Sequence, residues 1–264
     1  MYVDVHAHLV HPAFAGEEDA VAGRAAAAGV EMVVVTGLEP RSNRAVLELC
    51  ERHAHLLPAL GIYPVDALCK LVDRSSWQHP FPPPERFDVE EEIAFIDSVA
   101  GRLVAIAEVG LDQYWVPDYP REQEETLRKL CAVAMRHDLP VVLHSRKAES
   151  RTFAVVREMG VARAVFHCFG GKLNLARQIA DHGYCFSIPP VVERAEAFQA
   201  LCRALPLDRL LTETDCPYLG PDRDQRNEPA NIPRAVRAMA AARKIPEREM
   251  AAAVRANFRR TFGR

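Results

Sequence analysis

Eight times along this chain a short run rich in branched apolar residues gives way to a stretch with helical spacing, and that alternation constrains the fold more than any other feature. The runs are Val3–His8, Glu31–Thr36, Leu56–Gly61, Leu103–Glu108, Pro140–His144, Arg163–His167, Tyr184–Ile188 and Arg209–Asp215. Helices are predicted over Glu17–Ala28, Ser42–His53, Glu90–Val99, Arg121–His137, Thr152–Met159, Lys172–His182 and Glu193–Leu205, with two closing helices over Ile232–Arg243 and Glu247–Phe262. In Arg121–His137, for example, Leu127, Leu130, Cys131 and Ala134 recur on one face. Eight strands separated by helices, in 264 residues of which 49% are hydrophobic, predict an α/β fold: a single (β/α)8 TIM barrel domain over residues 1–264 with no dividing linker.

In such a barrel the chemistry sits at the C-terminal ends of the strands, above layers of branched side chains. The first run ends in His6-Ala7-His8, and an extended backbone points residues two apart to the same side, so both imidazoles converge. Later tips carry Glu108, His144, His167 and Asp215. Counting back by two from these tips gives Ile106 and Val104, Val142, Val165, and Glu213 and Leu211, as inward-facing strands should show. The ligand types number four imidazoles and two carboxylates, more than one tetrahedral ion needs. Two divalent metals sharing a bridging carboxylate are the economical arrangement; a pair about 3.5–4 Å apart can hold a hydroxide between them and attack a phosphodiester or an amide. Mixed imidazole and carboxylate ligands suit zinc, manganese, iron or nickel, with magnesium less at home beside imidazole.

Several segments then resemble one family in order and nearly end to end. They are Asp4-Val5-His6-Ala7-His8-Leu9, Glu108-Val109-Gly110-Leu111-Asp112, Leu143-His144-Ser145-Arg146, Phe166-His167-Cys168-Phe169, Glu213-Thr214-Asp215-Cys216-Pro217-Tyr218-Leu219 and Arg226-Asn227-Glu228-Pro229-Ala230-Asn231. Together they resemble the TatD family of metal-dependent hydrolases, within the amidohydrolase-like superfamily. The resemblance implies a TIM barrel with two divalent ions, His6, His8 and Asp215 on the first, His144 and His167 on the second, and Glu108 bridging. It also implies a deoxyribonuclease that cleaves phosphodiesters of DNA, often from a 3′ end, with Asp215 accepting the proton of the attacking water. Asp215 and Glu108 are thus the expected catalytic residues. Where the family usually has Gly-X-His-Pro, this chain has Gly61-Ile62-Tyr63-Pro64, and the proline-rich Tyr63–Arg86 stretch that follows departs from a shorter connection. That stretch is either a lid or substrate wall or a poorly ordered insertion.

Other residues carry two readings each. Arg146 either meets a substrate phosphate through its planar fork or pairs with Asp112 or Glu213; Tyr63 is a candidate substrate contact. Arg226 and Asn227 either bind substrate or fix the barrel rim. Lys172, after Gly170-Gly171 at a helix start, is an anion site or an ordinary helix beginning. Asp4 and Glu213 suit the orientation of imidazoles. His11, His53, His55, His79, His137 and His182 show no convergent spacing. A formal net charge of −3, with both signs interspersed, argues against a nucleic-acid-coating surface. Seven scattered cysteines without a Cys-X-X-Cys pair read as reduced thiols, no apolar run reaches the length of a membrane span, and removal of a signal peptide would remove His6 and His8. A cytoplasmic monomer or weak homo-oligomer without a membrane partner is expected. The competing function is a small-molecule amidohydrolase opening a lactone or cyclic amide; no strand-end lysine is placed to become a carbamate bridge, and Glu108 stands there instead.

Overall fold

Val33, Val34 and Val35, read as part of a buried run, are 0% exposed in the structure. Consecutive burial of that kind is possible only for a strand covered on both faces, which is the condition of a parallel sheet wrapped by helices. The computed structural model describes residues 2–263, so Met1 and Arg264 of the expected domain lie outside the described residues. Its strands are β1 (Tyr2–Ala7), β2 (Val30–Thr36), β3 (Leu56–Leu60), β4 (Ala105–Gly110), β5 (Val141–His144), β6 (Ala164–Phe166), β7 (Cys185–Ile188) and β8 (Leu210–Thr212). They form one eight-stranded sheet in sequential order, every ladder parallel. The helices are α1 (Glu18–Ala27), α2 (Pro40–Arg52), α3 (Val89–Val99), α4 (Pro120–Arg136), α5 (Glu149–Glu158), α6 (Leu173–Asp181), α7 (Glu196–Ala204), α8 (Ile232–Arg243) and α9 (Glu247–Phe262). The expected (β/α)8 TIM barrel is the observed fold. No helix among the described residues is long and apolar enough to cross a membrane.

The helix starts follow from local chemistry. At α2 the Glu39 side chain accepts from the Ser42 and Arg41 N–H groups while Ser42 Oγ accepts from the Glu39 N–H, and Pro40 fills the first turn. At α3 the Asp88 carboxylate accepts from the Glu90 and Glu91 N–H groups.

The seam between β8 and β1 is held largely by side chains. Thr212 Oγ1 donates to the Val3 carbonyl at 2.5 Å, and the buried Asp4 carboxylate accepts from Thr214 N (2.9 Å), Thr214 Oγ1 (2.5 Å) and His6 N (3.2 Å). Asp215 N then donates to the His6 carbonyl, and His8 N to the Cys216 carbonyl. The expected strand over Arg209–Asp215 stops at Thr212 because the chain turns out of the ladder, with Asp215 at φ 52°. An aspartate tolerates that left-handed region better than most residues.

Between β3 and α3 the long excursion is folded. It carries short 3-10 turns at Asp66–Leu68 and Arg74–Ser76. Val65, Leu68 and Val72 pack with Val116 into a small second core, bordered by Tyr63, Trp77, Phe81, Trp115 and Tyr119. The Trp77 indole N–H donates to the Phe81 carbonyl at 2.8 Å, and Arg74 donates to the Pro84 carbonyl at 2.6 Å. A packed wall, not a poorly ordered insertion, follows β3.

Candidate metal centre

His6 and His8 leave β1 and its end on the same side, and their Nε2 atoms come to 3.1 Å from each other. Both face Glu108 Oε2, at 3.3 and 3.4 Å, and Asp215 Oδ1, at 3.7 and 3.4 Å. The other oxygen of Glu108 faces the opposite half of the barrel: Oε1 lies 2.9 Å from His144 Nδ1 and 2.9 Å from His167 Nε2. One carboxylate therefore joins two groups of ligand atoms. Within the sets His6, His8 and Glu108, His6, His167 and Asp215, and Glu108, His144 and His167, the ligand atoms all lie within 4.8 Å of one another. All six predicted ligand-type residues are brought together at one mouth.

Close backbone approach makes this possible at the tip of β4. Gly110 has φ 151°, and a Cβ there would stand 1.9 Å from the His144 carbonyl oxygen. A side chain at Gly61 would meet the Glu108 carbonyl oxygen at 2.5 Å. Glycine at both places lets β3, β4 and β5 close around Glu108.

Three of the four imidazoles face a polar side chain with their outer nitrogens, while His6 Nδ1 is buried without a hydrogen-bond partner among the described residues. His8 Nδ1 is 3.0 Å from Thr36 Oγ1. His144 Nε2 is 2.8 Å from Asp112 Oδ2, which also accepts from the Tyr63 hydroxyl at 3.1 Å. His167 Nδ1 stands 3.5 Å from Glu213 Oε2, while Glu213 accepts from Cys168 N (2.8 Å) and Ser187 Oγ (2.7 Å). Outer partners of this kind fix the ring orientation and decide which nitrogen carries the lone pair.

The electrostatics favour positive charge. Burial alone would push the Glu108 carboxyl up, yet His167, His144 and His6 hold it well below the usual carboxylate range. Burial would push His167 down, and Glu108 and Glu213 instead carry it well above an ordinary imidazole. Asp215 is held low against its burial by His8, His167 and His6. Of the four imidazoles at this mouth, His6 is the one lowered, first by burial and then by His167. Two buried carboxylates with only imidazoles for partners are costly without a counter-charge. Converging nitrogen and oxygen donors in a negative field are what a divalent cation requires, so the residues present fit a metal.

The remaining predicted residues divide. Arg146 is exposed and pairs with neither Asp112 nor Glu213; its guanidinium lies over the Tyr114 ring at 4.0 Å and near Trp115 at 4.8 Å. Tyr63 is half-buried and spends its hydroxyl on Asp112. Arg226 ties the rim, donating to the Ala13 carbonyl and to Glu17 at 2.7 Å. Asn227 is buried, donating to the Thr214 and Tyr218 carbonyls at 2.8 and 2.7 Å. Lys172 is exposed and precedes α6 without a side-chain cap. Asp4 does not orient an imbedded ring nitrogen; it closes the seam beneath the ligands. His53 bonds Asp19, and His79 packs on Trp77. Asp112 and Thr36 are orienting groups that the strand-tip pattern does not mark, although Thr36 ends β2 two residues after Val34 and so falls on the inward period.

The model of the family described as TatD related DNase matches residues 3–263. The chain is 35% identical over 237 residues to Deoxyribonuclease TATDN3 of Homo sapiens, covering 87% of this chain and 83% of that protein. It is 32% identical to the 3′-5′ ssDNA/RNA exonuclease TatD of Enterobacter lignolyticus, covering 87% and 86%. The crystal structure of YJJV, a TatD homologue from Escherichia coli, superimposes with a TM-score of 0.85 at 28% identity, covering 100% of this chain and 98% of that one.

Proposed function

The chain belongs to the TatD-related DNase family, and from that premise we propose that it cleaves phosphodiester bonds of DNA from a 3′ end, with two divalent cations in the barrel mouth. It is a metal-dependent hydrolase. The observation that carries the reading is the split engagement of Glu108, one oxygen toward His6 and His8, the other toward His144 and His167. His6, His8 and Asp215 form one ligand group, His144 and His167 the other, and Glu108 serves both. Cations held there, zinc, manganese or magnesium, would supply Lewis acidity to the scissile phosphate and lower the pKa of water.

The chain's own residues do the rest. Asp215 is the most open of the six, its side chain 15% exposed, and its low pKa keeps it ionised and ready to take a proton from the attacking water. Asp112 and Thr36 hold His144 and His8 in place, so the ligands need little rearrangement when substrate arrives. Arg146, exposed and without an ion-pair partner among the described residues, offers its fork to a phosphate. We assign residues 1–264 to one hydrolase domain working in the cytoplasm as a monomer or weak homo-oligomer, a location supported by seven free cysteines.

The test is a substrate screen with Mn²⁺, Mg²⁺ or Zn²⁺. Shortening of a 3′-labelled oligonucleotide and turnover of a bis-aryl phosphodiester, both abolished by a chelator, are expected. Hydrolysis of lactones or N-acyl amino acids alone would overturn the reading.

A further inference from the structure

The loop after β4 places an aromatic surface beside the ligands and leaves part of it bare. Tyr114 is 49% exposed although its neighbours are packed. Trp115 meets it edge-on, ring centroids 4.6 Å apart, and is itself backed by Phe81 at 5.1 Å and His79 at 5.5 Å. The Arg146 guanidinium carbon lies 4.0 Å from the Tyr114 ring centroid and 4.8 Å from that of Trp115, and Arg146 forms no ion pair among the described residues. The wall that follows β3 thus buttresses Trp115 from behind, while Tyr114 and Arg146 face outward.

This surface is tied to the metal centre. Asp112, which orients His144 through Oδ2, accepts the backbone N–H groups of Tyr114 and Trp115 at 2.8 and 2.7 Å through Oδ1. Gln123 pins the same turn, accepting from Asp112 N and donating to the Asp112 and Val116 carbonyls. Gln113 N donates to the Arg146 carbonyl at 3.0 Å. The position of the aromatic rings relative to His144 is therefore set by the turn, not by a mobile tip.

We propose that Tyr114, Trp115 and Arg146 form a nucleobase-stacking subsite that seats an unpaired nucleotide next to the scissile bond. Every base has a π-face that an exposed tyrosine ring can cover, and the adjacent Arg146 guanidinium matches the phosphate that each nucleotide carries. A cation with no ion-pair partner among the described residues, beside an aromatic ring that is 49% exposed, complements a nucleotide; an uncharged lactone or amide would leave Arg146 unanswered. The subsite rests on the phosphodiesterase reading and adds to it the residues that select a base-bearing end.

The experiment compares metal-loaded enzyme on oligonucleotides with an intact or an abasic 3′-terminal residue, with bis-aryl phosphodiester turnover measured in parallel. The wild-type protein is expected to show a KM about tenfold lower for the intact end, the lower range for one base stacked on an aromatic ring. Tyr114→Ala is expected to raise KM for the intact end and to erase most of that preference, and Tyr114→Phe to restore it. Equal KM values for intact and abasic ends in the wild-type protein, or an unchanged preference in Tyr114→Ala with its circular dichroism intact, would overturn the subsite while leaving the phosphodiesterase standing. Absence of turnover on both oligonucleotides and the bis-aryl ester would overturn both.

Discussion

Asp112→Asn is nearly isosteric, yet it reverses the hydrogen-bond logic around His144. In the native site Asp112 Oδ1 accepts from two backbone N–H groups, those of Tyr114 and Trp115, and Oδ2 accepts from His144 Nε2 and the Tyr63 hydroxyl. A carboxylate can only accept, so His144 carries a proton on Nε2 toward Asp112, and Nδ1, 2.9 Å from Glu108 Oε1, is the nitrogen that would give its lone pair to a cation held between them. An asparagine keeps its oxygen for the two backbone N–H groups and presents its NH₂ to His144. Nε2 must then accept, the proton moves to Nδ1, and the inward nitrogen no longer offers a lone pair to a cation. Loss of an orienting partner of this type lowers metal affinity by roughly 10- to 100-fold, or about 1.4–2.7 kcal/mol. Isothermal titration of Mn²⁺ or Zn²⁺ into chelator-treated wild-type and variant protein measures it, with thermal melts to confirm the fold. Affinities equal within experimental error would show that Asp112 merely fills space.

Other outcomes follow from the same geometry. Glu108→Ala and His144→Ala are expected to lose most phosphodiester hydrolysis while circular dichroism shows the barrel intact; near wild-type rates in either would contradict their placement. Asn227→Ala strands the Thr214 and Tyr218 carbonyls and is expected to cost roughly 2–4 kcal/mol in urea unfolding, whereas a residue serving substrate alone would leave stability unchanged. Burial, helped by Glu39 and Glu108, pushes the Asp66 carboxyl up to about 8. It is protonated in the fold and ionised in the unfolded chain between its ordinary 3.8 and about 8, so its contribution to stability is fully present below pH 3.8 and is lost as pH rises through that window. Asp66→Asn is therefore expected to raise the urea midpoint relative to wild type at pH 8 and to do so less at pH 5; an equal effect at both would refute the assignment.

The ligand-type residues were legible because a strand's two-residue period is simple. His6 and His8, and the tips at Glu108, His144 and His167, can be counted from branched residues beneath them. What lay outside that count was set by backbone leaving the strand. Asp215 reaches the centre from a left-handed turn beyond β8, so a strand drawn through it runs three residues past the end at Thr212. Asp112 orients His144 from a turn beyond β4, where no periodicity operates. The sequence offers Arg146 carboxylate partners in Asp112 and Glu213, yet its neighbour is the Tyr114 ring, a contact made only when the loops after β4 and β5 meet. Asp4 shares the inward face of the imidazoles, which suggests a partner for them; barrel closure puts it opposite Thr214, 210 residues away.

The unifying role of Glu108 is most directly tested by anomalous diffraction from crystals grown with Mn²⁺. Two peaks are expected, one beside His6, His8 and Asp215 and one beside His144 and His167, both in contact with the Glu108 carboxylate. Peaks elsewhere on the protein, or none in the barrel mouth at saturating Mn²⁺, would contradict a shared centre.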